Sequence, residues 1–528
     1  MKRVPPQLLL GIALLLLVVI TRFYNLGVVP HGMTWDEVAI GYNGYAVLHT
    51  RRDEWLERLP VSFQSFGDYK APLAIYANGF STFLFGMNLT AVRTPFALAG
   101  VISIIGIYAL LKLLLPKTPQ STWLSLFGMF LMIASPWHHH FSRVGFESGI
   151  ALCFLVWMVV FLLWAFQTSA SSKLGLILLT FSVLCGAGSL YTYHSAKVVT
   201  PLLFLSLLIL YKKSAHSRLR ELVASGALGI VALYPFLKDS LFGQGLARAS
   251  STVFATQPLG QALARTGQQW LLHLSPGFLI GGATDTLRHG DGVWGVLLPT
   301  TLALVLISCV GFFIKHSFSS KEKKVWVLGF LWMVIGIIPA AIGESVPHPN
   351  RALLALPGCI LLATLGMSVM ARVAKKLGSI YLKLTIGVVL TLHVFLFTAY
   401  LSDYYCVFAQ TSASSFSDGY LEAFALAQQY EKGLDGAPTV EKILFTAEYG
   451  QPYIYALFVR KTNPIWYRGG SLVKYEFTQD ITDVDLARNN ALVVASPEDE
   501  IDVRKAFHTV FGSDGQPRFY FFLTSDSP

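Results

Sequence analysis

Long apolar runs separated by short polar segments fill roughly the first 400 residues of the chain. A helix needs about 20 mostly apolar residues to cross the hydrocarbon core of a bilayer, where its backbone groups must bond to one another. The pattern therefore predicts about eleven membrane-spanning helices. They fall near residues 7–22, 94–115, 121–137, 147–167, 173–190, 196–211, 219–237, 293–314, 325–343, 352–371 and 378–400.

The tail of the chain has a different pattern. It is more polar, with an amphipathic stretch over 420–430 and strand-like runs at 443–446, 491–494 and 519–524. We predict an all-α polytopic membrane domain over residues 1–402, followed by a small extracytoplasmic α/β domain over residues 403–528. No small-residue cleavage site follows the first apolar run, so we interpret that run as a retained helix and not as a signal peptide.

The composition agrees with a membrane protein. With 54% hydrophobic and 13% charged residues among 528, the chain is too apolar for an ordinary soluble protein of its length. Its net charge of +10 does not indicate nucleic acid, because the basic residues lie between apolar runs and not in one patch. The five cysteines show no CxxC spacing, so we expect neither a disulfide framework nor a zinc site.

Lysines and arginines mark alternate loops, and positive residues near the ends of spans stay in the cytoplasm. The loops on one side carry a set of basic residues with almost no acid beside them: Lys2, Arg3, Lys112, Lys117, Lys173, Lys212, Lys213, Arg218, Arg220, Lys315, Lys321, Lys323, Lys324, Arg372, Lys375 and Lys376. This pattern predicts a multi-pass protein of the cell membrane with a cytoplasmic N-terminus. The loops over 23–93 and 238–292, and the tail, would then lie outside.

The first outer loop contains the residues that suggest catalysis. Asp36 and Glu37 follow the first span closely, and Lys70 comes later in the same loop. Transfer of a sugar from a phosphate donor needs a carboxylate to take the acceptor proton and cations to hold the departing phosphate. Asp36 or Glu37 can supply the carboxylate, and Lys70 or an arginine the cation. The alternative interpretation is that the two acids only cap and solvate the start of a helix.

Further polar residues lie against the outer ends of the spans, where an ionisable side chain is costly unless it pairs or has a function. We take them as candidate substrate-binding residues: Asp68, Lys70, Arg143, Glu147, Tyr193, His194, Lys197, Arg248, His348 and Arg351. Arg248 also fits a solvated loop arginine. Tyr193 and Lys197 also fit an aromatic anchor and a snorkelling lysine.

Metal binding has two candidate locations. His138, His139 and His140 are adjacent, but neighbouring residues of a helix point in different directions and do not readily share one ion. Asp36 together with Asp68 is the other candidate. We predict no metal ligands and no required cofactor, and leave a divalent metal as an open alternative.

Four segments resemble the C-type glycosyltransferase superfamily. They are Trp35-Asp36-Glu37, the stretch from Lys70 to Tyr76, the Ser135-Pro136 turn with Arg143 after it, and the stretch from Asn350 to Pro357. The branch they resemble most contains dolichyl-phosphate-mannose protein mannosyltransferases and bacterial aminoarabinose lipid A transferases. The resemblance covers roughly residues 1–400, in motif order and in the side on which the loops lie.

The resemblance implies a membrane enzyme that uses a polyprenyl-phosphate sugar, with a first-loop aspartate as base. Asp36 matches that aspartate, Lys70 matches a lysine that faces the lipid phosphate, and Arg351 matches the arginine before a late helix. Ala71 and Ala352 stand where many relatives have proline and tyrosine, which makes the match at Arg351 weaker.

The predicted function is therefore transfer of a sugar to an acceptor hydroxyl on the outer face of the membrane. The expected partners are the lipid-linked donor, membrane lipid, and an acceptor that is a protein, a lipid or a cell-wall glycan. The alternative is a secondary transporter, although transporters bind near the midplane and often show paired repeats. The sequence has no visible repeat.

Overall fold

The computed structural model describes residues 5–467 and 472–524. Lys2 and Arg3, which the charge pattern assigns to the cytoplasmic side, lie outside the described residues. The helices are α1 (Pro6–Phe23), α2 (Trp35–Thr50), α3 (Pro72–Phe85), α4 (Leu89–Leu114), α5 (Pro119–Ile133), α6 (Pro136–Phe141), α7 (Ser148–Ala165), α8 (Lys173–Leu190), α9 (Ala196–Leu210), α10 (Lys212–Ser217), α11 (Leu219–Phe242), α12 (Val253–Thr256), α13 (Leu259–Leu272), α14 (Pro276–Ile280), α15 (Pro299–Phe313), α16 (Ser320–Ala341), α17 (Pro349–Ala352), α18 (Leu356–Leu377), α19 (Ser379–Asp403), α20 (Ala409–Thr411), α21 (Tyr420–Lys432), α22 (Pro452–Arg460) and α23 (Pro464–Tyr467). The strands are β1 (Phe63–Ser65), β2 (Asp68–Lys70), β3 (Lys442–Thr446), β4 (Tyr475–Thr478), β5 (Ala491–Ala495), β6 (His508–Phe511) and β7 (Pro517–Leu523).

Eight helical segments within the described residues are long and apolar enough to cross a membrane. The prediction of a helical multi-pass membrane protein is confirmed. The three remaining predicted spans are also helical, but α5, α9 and α15 have 15 residues each, which is fewer than a straight crossing needs. Proline at the first turn fixes where α5 and α15 begin.

The first of two compact units contains most of the spans. It comprises residues 1–24, 69–73 and 96–403. Its central helix is α18. Of the residues in the most apolar stretch of the segment Pro349–Leu377, 94% are buried inside the protein. Glycine allows the close packing around this helix, because a Cβ on Gly358 would lie 2.5 Å from the carbonyl oxygen of Gly329 on α16.

The second unit is built around a mixed sheet. It comprises residues 25–68, 74–95 and 404–528. The strand order is β4-β3-β5-β7-β6, with β3 parallel to β4 and β5, and β7 antiparallel to β5 and β6. The small C-terminal α/β domain is thereby confirmed as a fold, and α21, β3, β5 and β7 correspond to the predicted helix and strands, with β7 ending one residue before the predicted end at Thr524.

The boundary of the second unit differs from a division at residue 402. Helix α2 and the start of α4 belong to the unit of the tail, because Val38, Tyr42 and Val92 share one buried core with Phe424 and Phe445. This grouping has a simple physical reason. The apolar face of α2 needs cover, and α22 supplies it, where Phe458 packs against Gly41.

Candidate active site

A cavity of about 300 Å³ lies within the first unit and is lined by cationic side chains. It opens between the start of α9, the segment that follows α11, the end of α16 and α17. Five of the candidate substrate-binding residues line it together: Tyr193, His194, Lys197, Arg248 and Arg351. Three of these carry positive charge, so the cavity can hold an anionic group.

Residues 69–73 of the first loop attach to the wall of this cavity. His194 Nε2 lies 2.9 Å from the carbonyl oxygen of Tyr69, and the Leu73 N–H donates to the carbonyl oxygen of Tyr191 at 3.1 Å. Lys70 lies between these two anchors and is 6% exposed. The two hydrogen bonds therefore fix the backbone on both sides of Lys70.

Lys197 is held by the turns around it. Its ammonium donates to the carbonyl oxygen of Gly245 and lies 3.2 Å from His194 Nδ1. It also lies 5.2 Å from the centre of the Phe236 ring, in cation–π contact. The contact with Gly245 connects Lys197 to the segment that carries Arg248.

Tyr193 is buried among charged groups. Burial raises the pKa of its phenol, the nearby Glu147 raises it further, and the positive charges of Arg351 and Arg248 oppose the rise. The hydroxyl therefore stays protonated and can donate a hydrogen bond. Glu147 itself lies at the position before the first turn of α7.

Arg351 occupies the short helix α17, and His348 caps that helix. The Arg351 N–H donates to His348 Nδ1 at 3.4 Å, and Arg351 Nη1 lies directly against Gly343. Burial, the neighbouring His289 and the positive charge of Arg351 lower the pKa of His348 to about 3, so its imidazole is neutral at physiological pH. His348 lies next to the cavity wall but does not line the cavity.

A group of residues suited to a metal lies beside His348. One ligand atom each from Asp285, His289 and His348 falls within 4.8 Å of the others. His289 Nδ1 already binds the Asp285 carboxylate at 2.8 Å, and the rings of His289 and His348 are tilted by 33° with their centres 4.5 Å apart. Two imidazoles and one carboxylate are a donor set that suits zinc.

The adjacent histidines 138–140 have separate partners. His138 Nδ1 lies 2.9 Å from Arg22 Nη2, and its Nε2 lies 2.8 Å from the Ser103 hydroxyl. His139 Nδ1 lies 2.8 Å from the hydroxyl of Tyr400. These imidazoles therefore take part in different hydrogen bonds and do not converge on one point.

Arg143 follows α6 in the chain, is fully buried, and packs against the end of α1. Its Nη1 donates to the carbonyl oxygens of Thr21 at 3.3 Å and Arg22 at 3.2 Å. These contacts satisfy carbonyls that the last turn of a helix leaves without intrahelical partners.

Asp36 and Glu37 belong to the second unit, at the start of α2. Glu37 is fully buried, its carboxylate accepts the Thr34 N–H at 3.0 Å, and it pairs with Arg93 at 2.8 Å. Asp36 is half-buried and keeps an exposed surface. Asp68, at the start of β2, also belongs to the second unit and is half-buried.

Sequence reasoning did not single out Arg93, Asp285 or His289. Arg93 stands just before the apolar run at 94–115, where a snorkelling arginine is common. Asp285 and His289 lie in a turn between α14 and α15, where no helical period marks their contact.

Comparisons with known proteins agree with this fold. Residues 69–239 match the family described as dolichyl-phosphate-mannose-protein mannosyltransferase. No curated protein matches the chain in sequence at a significant level. Solved structures share its fold, and three of them are described below.

ArnT from Cupriavidus metallidurans in the apo state superposes with a TM-score of 0.57 at 14% identity, over 98% of this chain and 99% of that one. ArnT bound to undecaprenyl phosphate gives a TM-score of 0.57 at 12% identity, over 98% and 99% of the two chains. The apo oligosaccharyltransferase of Archaeoglobus fulgidus gives 0.50 at 12% identity, over 93% of this chain and 69% of that one. The resemblance to the C-type glycosyltransferase superfamily is confirmed.

Proposed function

We propose that this chain, which has the fold of the C-type glycosyltransferases, moves a sugar from a polyprenyl-phosphate donor to an acceptor hydroxyl on the outer face of the cell membrane. Asp36 is the base in this proposal. Lys70, Lys197, Arg248 and Arg351 bind the phosphate of the donor. Asp68, Arg143, Glu147, Tyr193, His194 and His348 complete the set of proposed substrate-binding residues.

The observation that carries the proposal is the cavity with three cationic side chains. Lys197, Arg248 and Arg351 line one space of about 300 Å³, which is large enough for a phosphate and part of a sugar. Charge-assisted hydrogen bonds from lysine and arginine to phosphate are the strong kind, and a partly buried cavity strengthens them further. The protonated Tyr193 hydroxyl supplies a neutral donor in the same space.

The chemistry follows from these groups. The acceptor oxygen attacks the anomeric carbon and its proton passes to the carboxylate of Asp36. The bond between that carbon and the phosphate oxygen breaks, and the polyprenyl phosphate leaves with the electron pair. The cations stabilise the negative charge that builds on the departing phosphate. We expect a single displacement with inversion, because the proposal uses one carboxylate and no covalent sugar intermediate.

Asp36 is favoured over Glu37 as the base by its accessibility. The carboxylate of Glu37 is fully buried and engaged by Thr34 and Arg93, whereas Asp36 keeps an exposed surface. A base must reach the acceptor proton, so an exposed carboxylate is better suited.

A lipid-linked donor is supported by two independent arguments. The related fold of ArnT has been solved with undecaprenyl phosphate bound. The charge pattern of the sequence predicts that the candidate residues lie on the outer side, where sugar nucleotides made in the cytosol are not available. A lipid carrier crosses the membrane with its sugar and can supply the site.

The test is turnover of a panel of radiolabelled polyprenyl-phosphate sugars by the purified protein in detergent with lipid. We expect the wild-type protein to release polyprenyl phosphate from at least one donor. The double variant Lys197→Ala/Arg351→Ala should release none. If the protein neither binds nor turns over any donor of the panel, but moves a small solute across the membrane of proteoliposomes, the protein is a transporter and the proposal is wrong.

A further inference from the structure

Arg93 in the second unit is fully buried, and each of its N–H groups has a partner. Nη1 donates to the carbonyl oxygens of Pro30 at 2.8 Å and Leu26 at 3.3 Å. Nη2 donates to the carbonyl oxygen of Gly32 at 3.0 Å. Nε and Nη2 bind the two carboxylate oxygens of Glu37 at 2.8 and 3.3 Å. One guanidinium therefore holds both the loop over residues 26–32 and the first turn of α2.

Glu37 connects Arg93 to the start of α2, because it binds Arg93 and also forms hydrogen bonds with Thr34. Its carboxylate accepts the Thr34 N–H at 3.0 Å, while the Thr34 hydroxyl accepts the Glu37 N–H at 3.3 Å, which completes a capping box. Asp36 is one of the two residues between Thr34 and Glu37 and lies in the first turn of the helix. Successive residues of a helix point about 100° apart, so Glu37 can face Arg93 while Asp36 faces another direction.

The loop before the helix is fixed from a second side. The Tyr455 hydroxyl donates to the carbonyl oxygen of Met33 at 2.7 Å, and Tyr455 itself is buried. Gly32 has φ +76° and lies so close to the chain at Asp418 that a Cβ would come within 2.7 Å of its backbone nitrogen. The segment that presents Asp36 is therefore rigid on both sides of Thr34.

We propose that Arg93 is a positioning residue for catalysis, which orients the carboxylate of Asp36 through Glu37 and the loop carbonyls. This inference rests on the proposed function, in which Asp36 is the base. A buried ion pair can also serve stability alone. The convergence of five hydrogen bonds on residues 26–37 favours positioning, because they fix the direction in which the first turn of α2 leaves the loop.

The geometry predicts that lysine cannot replace Arg93. A guanidinium is a planar fork with five donors, and here those donors reach two carboxylate oxygens and three carbonyl oxygens in fixed directions. An ammonium has three donors and no plane, so it keeps the charge but loses the bidentate contact with Glu37. Arg93→Lys is therefore the informative variant, because it leaves Glu37 with a cation nearby.

The experiment compares Arg93→Lys and Glu37→Gln with wild type in the donor-turnover assay, using the full chain in detergent with lipid. Arg504→Lys is the matched control, because Arg504 is 88% exposed in the same unit. We expect kcat to fall about 100-fold in Arg93→Lys, the size of loss that a displacement near 1 Å causes, with KM for the donor within threefold of wild type. The limb of the pH–rate profile that reports the base is expected to shift in the same variant.

Two outcomes would overturn the inference. One is a folded Arg93→Lys protein with wild-type kcat and pH profile. The other is a loss of kcat that equals the loss of donor-binding stoichiometry, since a purely structural role would reduce only the folded fraction. Arg93→Ala with added guanidinium provides a second test, in which partial recovery of kcat is expected and its absence counts against positioning.

Asp36→Asn separates this inference from the proposed function. If Asp36→Asn retains turnover, the proposed base is wrong and the role of Arg93 falls with it. If Asp36→Asn is inactive while Arg93→Lys is normal, the proposed function stands and only the positioning role is refuted.

Discussion

Gly343 offers a way to displace a cation of the proposed phosphate site without removing its charge. A Cβ on Gly343 would overlap Arg351 Nη1, and its next neighbours would be Arg351 Cζ at 3.2 Å and the carbonyl oxygen of Ala340 at 3.6 Å. The clash is therefore with the far end of a flexible side chain. We expect Gly343→Ala to fold normally and to push the Arg351 guanidinium out of place.

The size of the effect follows from the lost contact. A hydrogen bond to a charged group contributes about 1.5–3 kcal/mol, which corresponds to about 10–150-fold in Kd. Arg351→Ala should weaken binding of undecaprenyl phosphate by an amount in this range. Gly343→Ala should weaken it by about tenfold, because the displaced guanidinium keeps part of its attraction.

A double-mutant cycle tests the mechanism. Binding of undecaprenyl phosphate is measured by thermophoresis for both single variants and for the double variant, with Arg504→Ala as a surface control. If Gly343→Ala acts through Arg351, the double variant binds as weakly as Arg351→Ala and no weaker. Additive losses would refute this mechanism, and an unchanged Kd in Arg351→Ala would refute the phosphate site.

Three further predictions concern the second unit and the chemistry. Burial raises the pKa of Asp53 to about 6, so its protonation adds stability below about pH 4 that is lost as the pH rises through 6. At pH 8, Asp53→Asn should therefore raise Tm and increase the free energy of unfolding by up to about 3 kcal/mol, whereas at pH 4 it should have little effect. The opposite pH dependence would contradict a raised pKa of Asp53. Gly44→Ala should lower Tm strongly, because its Cβ would come within 2.6 Å of the Gly79 nitrogen, whereas Gly226→Ala, with open space around it, should not. Proteins dialysed against EDTA should keep transfer activity, because in the proposed mechanism Asp36 takes the proton and lysine and arginine side chains stabilise the phosphate; a loss that zinc restores would show that a metal is required.

The membrane helices were predictable because long apolar runs have few alternatives in a bilayer. The helices of the first loop were harder to find. The run from Ala74 to Phe85 is too short to span a membrane and follows Pro72, so it looked like part of a loop, but it forms most of α3. Tertiary packing stabilises this helix, because α2 and α3 contact each other closely at Gly44 and Gly79.

The cavity was partly predictable and its surroundings were not. Tyr193, His194, Lys197, Arg248 and Arg351 could be proposed from their position at the ends of apolar runs, where charge is costly.

The pairing of Arg93 with Glu37 had no local signal, because 56 residues separate them and the contact forms only when α4 returns to the start of α2. The grouping of α2 with the tail was hidden for the same reason. It depends on burial between segments that are hundreds of residues apart, such as Tyr42 and Phe458.

The most direct measurement is transfer from a labelled polyprenyl-phosphate sugar by Asp36→Asn and by Asp502→Asn. Asp502 is a surface aspartate of the second unit and serves as the matched control. We expect Asp36→Asn to bind the donor as wild type does but to lose turnover by at least about 100-fold, and Asp502→Asn to be normal. Undiminished turnover in a folded Asp36→Asn protein would contradict the proposed mechanism.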